Sequence, residues 1–237
     1  MSVQLGAHSS AVVSGGSSVI TVTSTATDGH TGVIAIFQNG VGSRTYAIGN
    51  VEGTSTWVTA AASTQSGGVT HMRQDYSTNV ITNNGTVSFT VTQSGGVVIG
   101  FGATFITIAS SGINLAASTF SDDITGSSNH TGSTAGLTAG NSTNVFAYLT
   151  AVANANMTSF TEPTTPGTWN SLQSDLGAAT LFHASYYSGS SNLSADTVPW
   201  QSGTAQRALQ VVSVFSAPAA AAVSKSRRSS MRLLGVS

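Results

Sequence analysis

One pattern of strands occurs twice in this chain, and it constrains the fold more than any single residue does. The first copy runs VIAIF (Val33 to Phe37), a turn ending in GTSTW at Trp57, THMRQDYS through Tyr76, and VVIGFGATF closing at Phe105. The second runs VFAYL (Val145 to Leu149), PGTW at Trp169, GAATLFHASYYS with Tyr186, and RALQVVSVF closing at Phe215. Val33/Val145 and Trp57/Trp169 lie 112 residues apart, and Thr70/Thr180, Tyr76/Tyr186 and Phe105/Phe215 lie 110 apart, so one two-residue gap aligns every landmark. A repeat this long means duplicated architecture, each unit needing a neighbour to cover a hydrophobic face. Two copies do not make a solenoid; they fit one β-sandwich built from two pseudo-repeated halves.

Composition points the same way. Charged residues are 6% of the chain, with Lys225 the one lysine and Glu52 and Glu162 the two glutamates. Long surface helices need such side chains on their solvated faces, so the expected class is all-β and antiparallel. Low charge with much Ser, Thr and Gly is also a mark of disorder, but the apolar residues here come in strand-length bursts and make up 40% of 237 residues, enough for a core. The chain has no cysteine, so neither disulfides nor thiolate metal sites hold it together. SVITVTST (Ser18 to Thr25) and TVSFTVTQ (Thr86 to Gln93) alternate apolar and hydroxyl residues, which puts Val19 or Ile20 with Val22, and Val87, Phe89 and Val91, on buried faces. GVVIGFGATFITIA (Gly96 to Ala109) is nearly continuous and reads as a central strand where Gly100 and Gly102 permit a bulge or a close approach.

The expected organisation is an N-terminal arm at 1–16, the duplicated sandwich at 17–217, and an Ala-rich linker with a basic tail at 218–237. Within the sandwich, halves at about 33–105 and 145–215 are joined by 110–144, a crossover holding a strand or two. The N-terminus lacks the basic and apolar regions of a secretion signal, and no stretch reaches the roughly 18 apolar residues of a membrane span. These features lead us to expect synthesis in the cytosol and no membrane partner. Four of the seven basic residues, Lys225, Arg227, Arg228 and Arg232, fall in the tail, beside Met231, Leu233 and Leu234. A body of about −5 with a tail of about +4 suggests a segment that docks on an acidic, partly apolar partner surface. The alternative is a solvated terminus. Four charges are few for nucleic acid, which is not an expected partner.

Catalytic signals are sparse. No Gly-x-Ser-x-Gly elbow, phosphate-binding Gly-Lys-Ser/Thr loop, HExxH helix or calcium loop occurs. Asp122-Asp123 lies in a Ser-rich stretch, where turn capping is the expected role. His71 and His183 fall one residue apart in the repeat alignment, but strand histidines are more commonly rim residues than ligands. No catalytic residue, metal site or cofactor is therefore expected. Recurrence of Trp57 and Trp169 in both halves favours core packing for them. Tyr187 and Trp200 are the aromatics left as candidates for stacking on a glycan.

The succession VIAIF, TSTW, THMRQDYS, TVSFTVTQSGGVVIGFGATF, NVFAYLTAV, FTEPTTPGTW, GAATLFHASYY and QVVSVFSA resembles a β-sandwich module of tailed-bacteriophage structural proteins, over roughly residues 17–217. The resemblance implies a jelly-roll or immunoglobulin-like sandwich displayed on a virion as a head decoration protein, head spike or tail-associated module, without enzymatic activity. The expected function is capsid decoration or cement, with a receptor- or glycan-binding spike or fibre as the alternative. The expected partners are the major capsid protein or another virion protein, bound through Lys225, Arg227, Arg228, Met231, Arg232, Leu233 and Leu234, and further copies of the chain, most simply as a trimer. Particle assembly would take place in the host cytoplasm.

Overall fold

The computed structural model describes residues 3–14, 16–41, 45–49, 56–64, 70–78, 80–82, 84–95, 97–109, 113–123, 129–133, 145–153, 161–164, 167–175, 181–189, 197–201 and 208–216. Among them there is no helix. Fifteen strands follow one another: β1 (Leu5–Ser14), β2 (Val19–Ala26), β3 (Thr31–Val41), β4 (Thr45–Ile48), β5 (Trp57–Thr64), β6 (Thr70–Ser77), β7 (Gly85–Ser94) and β8 (Val97–Ile108), then β9 (Asn114–Asp123), β10 (Asn129–Ser133), β11 (Val145–Ala153), β12 (Asn170–Asp175), β13 (Leu181–Gly189), β14 (Thr197–Gln201) and β15 (Ala208–Ser216). They form a central sheet, β1-β8-β3-β6-β5, a second five-stranded sheet, β12-β13-β11-β15-β9, a three-stranded sheet, β2-β7-β4, and a ribbon, β10-β14, all antiparallel. The all-β expectation holds, and no described helix is long and apolar enough to cross a membrane.

The central sheet is covered on both faces, which explains the unbroken apolar run in β3. Along VIAIF, Val33, Ala35 and Phe37 enter a core shared with the second five-stranded sheet, whereas Ile34 and Ile36 enter a core under the three-stranded sheet. All five are fully buried. With successive side chains on opposite faces, a strand buried on both sides favours apolar residues at every position and admits a polar one only where a partner satisfies it. The three-stranded sheet is covered on one side, so β2 and β7 alternate. Ile20, Val22 and Ala26 turn inward with Val87, Phe89 and Val91, while Val19 stays outside with Thr21, Thr23 and Thr25.

The two five-stranded sheets meet at the rings of Phe37 and Phe182, stacked 3.9 Å apart and 8° from parallel. Gly102 of β8, opposite Phe37 in the ladder, makes the room: a Cβ there would fall inside the Phe37 ring. The glycine thus serves the close approach expected of it. Beside this stack, Gln74 of β6 is completely buried and fully engaged. Its amide nitrogen donates to the Thr150 hydroxyl at 2.7 Å and toward the Val211 and Tyr148 carbonyls at 3.3 and 3.4 Å, and its oxygen accepts from the Ser213 hydroxyl. Thr150 in turn donates to the Met72 sulfur at 3.2 Å. A buried amide left unpaired costs about 1–3 kcal/mol, so this cluster fixes how one sheet sits on the other.

The strand order β1-β8-β3-β6-β5 is matched in sequence by β9-β15-β11-β13-β12, and the pair β2-β7 by β10-β14. Trp57 and Trp169 keep equivalent places, since each immediately precedes the residue lying opposite the tyrosine, Val58 opposite Tyr76 and Asn170 opposite Tyr186. Both tyrosines pack on the shared core. Two other landmarks do not correspond. Val33 lies opposite Tyr76, but the partner of Tyr186 is Tyr148, three residues beyond Val145. An odd shift reverses the face of every side chain, so Val33 enters the shared core and Val145 turns away from it, while Phe105 and Phe215 lie in different cores.

Two further expectations need correction. Residues 5–14, taken as part of an N-terminal arm, are the edge strand β1, paired with β8 through a bulge between Leu5 and His8. Asp122-Asp123, taken as a turn-capping pair in a loop, ends β9 opposite Leu209 and Ala208. Both segments are rich in Ser and Ala, and neither has the clean period of a half-buried strand. Among the described residues of the 110–144 crossover there are two strands, β9 and β10.

Gly102→Ala is expected to destabilise the fold by about 1–3 kcal/mol, because the added methyl must displace the Phe37 ring from its stack. Phe37→Leu in the same chain should recover part of that loss, a non-additivity that chemical denaturation of the two single variants and the double variant measures. Strictly additive losses would show that Gly102 and Phe37 do not share this space.

Candidate functional site

The described ionisable groups are dispersed and mostly engaged in structural contacts. β13 places His183 on the side of its sheet facing away from the shared core, alternating with Phe182 and Ala184. There its Nε2 lies 2.8 Å from a carboxylate oxygen of Glu162, next to the buried Pro163. The His183 side chain is 2% exposed and that of Glu162 25%, and the pair joins segment 161–164 to the sheet. In the central sheet, Arg73 Nε sits 2.8 Å from each oxygen of the fully buried Asp75, two residues along the same face of β6. A buried carboxylate without such a partner would be strongly unfavourable. The Tyr148 hydroxyl stands inside the shared core; burial holds its pKa well above the ordinary range, with the neighbouring Thr104 hydroxyl acting in the opposite direction.

His71 and His183 are not brought together. His71 of β6 lies opposite Gln38 and alternates with Met72, whose side chain is in the shared core, so it too points away from that core. The thickness of two sheets therefore separates the imidazoles. Among the described residues, no three His, Asp or Glu side chains converge as metal ligands would.

The aromatic candidates divide. Tyr187, proposed for glycan stacking, is 7% exposed. Its ring lies 6.0 Å from that of Trp169, which is itself buried, and Gly167 and Gly189 leave the space it fills. The covered ring has no open face for a sugar. Trp169 packs as the repeat suggested, and Trp57 sits half-buried 6.4 Å from Phe89 under the three-stranded sheet. Trp200 is in β14 opposite His130, and its side chain lies outside the described residues. Lys225, Arg227, Arg228, Met231, Arg232, Leu233 and Leu234 also lie outside them.

One surface emerges that single residues did not signal. The outer face of the three-stranded sheet carries Thr21, Thr23 and Thr25 of β2 opposite Thr90, Ser88 and Thr86 of β7, with Thr45 of β4 opposite Ser94. Thr23 and Ser88 hydrogen-bond at 2.8 Å, and Thr45 bonds Ser94. Every residue in these rows is a neutral hydroxyl, and all but the partly covered Thr90 are exposed. Alternation in the sequence predicted outward threonines; their alignment into rows depends on register, which only the fold reveals.

Two histidines contribute to the response to acid. His8 bonds the Thr104 hydroxyl through Nε2 at 2.9 Å, and His30 bonds that of Thr107 through Nδ1 at 3.3 Å. Burial lowers both below the ordinary value of 6.5. The unfolded chain therefore binds more protons than the folded one as pH drops. Their contribution is whole above about pH 6.5 and declines as pH falls through the unfolded value toward the depressed folded ones. Melting temperature measured against pH should fall on the acid side, and His8→Gln with His30→Asn should flatten that fall. An unchanged profile in the double variant would assign the acid sensitivity to other groups.

Comparison with protein-family models, with curated proteins and with solved structures finds no match to this chain.

Proposed function

We propose that this chain is a structural protein of a tailed-bacteriophage particle, a decoration or cement protein on the head surface. The observation that carries the reading is strand order. β1-β8-β3-β6 facing β2-β7-β4 is the connectivity we read as a jelly roll, followed by a second set of strands in the same order. Jelly rolls recur in capsid proteins and in lectins. Architecture alone assigns no function. Two further observations support the capsid side: the resemblance of residues 17–217 to phage structural modules, and the uncharged hydroxyl face of the three-stranded sheet. In a dense lattice, charge repeated on every subunit sums to repulsion, whereas neutral hydroxyls remain hydrated without adding to it. The lectin alternative loses Tyr187, whose ring is covered.

In this reading the body faces solvent and the tail attaches it. β15 lies inside the second sheet and ends at Ser216, so a segment beyond it can engage a partner without disturbing the ladder. Lys225, Arg227, Arg228 and Arg232 supply attraction and orientation toward an acidic capsid surface. Met231, Leu233 and Leu234 supply apolar area, about 1.5–3 kcal/mol each when fully covered. Homo-oligomeric contacts, as a trimer at a lattice symmetry axis, complete the proposal.

Purified particles test it. Quantitative mass spectrometry should find on the order of hundreds of copies per particle, as repeated lattice sites require, whereas a few copies would indicate a spike or fibre. Deleting residues 224–237 should leave the melting temperature unchanged and sharply reduce incorporation, and Leu233→Ser with Leu234→Ser should do most of the same damage even at low salt. Full loading of the truncated chain would refute the tail as anchor, and absence of the protein from particles would refute the whole reading.

A further inference from the structure

We propose that Asn84 is a site of spontaneous covalent modification, closing on the Gly85 nitrogen to a succinimide that water opens to aspartate or isoaspartate. In an Asn-Gly pair the attacking amide has no side chain beside it to block its approach to the Asn carboxamide. The chain contains two such pairs, Asn39-Gly40 and Asn84-Gly85, and the fold treats them differently. Asn39 lies within β3, opposite Thr70 on one side and Gly100 on the other, so its backbone turns only if the central sheet opens. Asn84 stands just before β7, and both it and Gly85 are exposed. Gly85 has a φ of +113°, a conformation that side-chain-bearing residues rarely adopt. Its one ladder partner is Ala26, the last residue of β2, so only a terminal pair need fray before the amide can attack.

A second contact favours the chemistry. The Asn84 Oδ1 accepts a hydrogen bond from the Asp28 backbone N–H at 2.8 Å. That donor polarises the carboxamide carbon and faces the oxygen on which negative charge grows as the nitrogen adds. The Gly85 nitrogen loses its proton to solvent base and bonds to Asn84 Cγ; Nδ2 takes a proton from solvent, the Cγ–Nδ2 bond breaks and ammonia leaves. Water then adds to either succinimide carbonyl, and no oxidant or reductant takes part. The neighbouring Asp28-Gly29 pair lacks this freedom, because the Gly29 nitrogen is held by the Ile81 carbonyl at 2.8 Å. Aspartate at 84 would set a second carboxylate beside Asp28, and isoaspartate would add a methylene to the main chain where β7 begins.

The test incubates the full-length chain in mildly alkaline buffer and follows it by peptide mapping with mass spectrometry that separates aspartate from isoaspartate. A free peptide of residues 81–88 serves as the unstructured reference. Asn84 is expected to convert at least about tenfold faster than Asn39 in the same sample, because local opening is far easier at a strand end than inside a sheet. Asn84→Ser should abolish the product at that position and leave the slow signal at Asn39 unchanged. Conversion of Asn39 at the rate of Asn84, or an intact Asn84 after the free peptide has fully reacted, would overturn the proposal.

Discussion

The ring of Phe37 lies flat on that of Phe182 over the bare backbone of Gly102, and the placement of the two five-stranded sheets follows from that contact. Once the central sheet is covered by this interface on one side and by the three-stranded sheet on the other, the middle of β3 from Val33 to Phe37 is apolar on both faces, and the polar Thr31 and Gln38 that flank it are buried as well. The interface is not purely apolar. Gln74, Thr150, Ser213 and the Val211 and Tyr148 carbonyls satisfy one another inside it. Apolar contact brings the sheets together, and the amide cluster admits only one register between them, because sliding by a single residue would strand several buried donors and acceptors.

Under the proposed function, the features of the body serve an architectural role. Among the described residues, the buried Asp75 is paired with Arg73 on its own strand, and Glu162 is bound by His183 of the neighbouring sheet. The described outer face of the three-stranded sheet offers hydroxyls without charge. Under the proposed function these properties leave attachment to segments outside the sheets and leave the sheets to bear load.

Much of the fold was legible in the residues because burial writes itself into period. One-sided strands such as β2 and β7 alternate, and the two-sided strand β3 does not; Gly102 marked a close approach, and paired tryptophans marked equivalent packing sites. Phase was harder to read. Matching VIAIF to VFAYL aligns two apolar bursts correctly as strands but says nothing of which face each residue takes, since a run buried on both sides looks the same after a shift of three. The Tyr186-Tyr187 doublet hid its meaning for the same reason: adjacent residues point to opposite faces, and here both faces are covered, Tyr186 by the shared core and Tyr187 by Trp169. β1 escaped notice because an edge strand with a bulge and a Ser-rich sequence carries little periodic signal.

The central claim is that the Phe37–Phe182 and Gln74 contacts make one cooperative unit of the two five-stranded sheets. Native-state hydrogen exchange measures this directly, by comparing the opening free energies of amides in β3 and β8 with those in β11 and β15. The account predicts that the slowest amides of all four strands share a single value equal to the global unfolding free energy. Two well-separated values, with one sheet exchanging while the other stays protected, would contradict it and make the halves independent domains that merely touch.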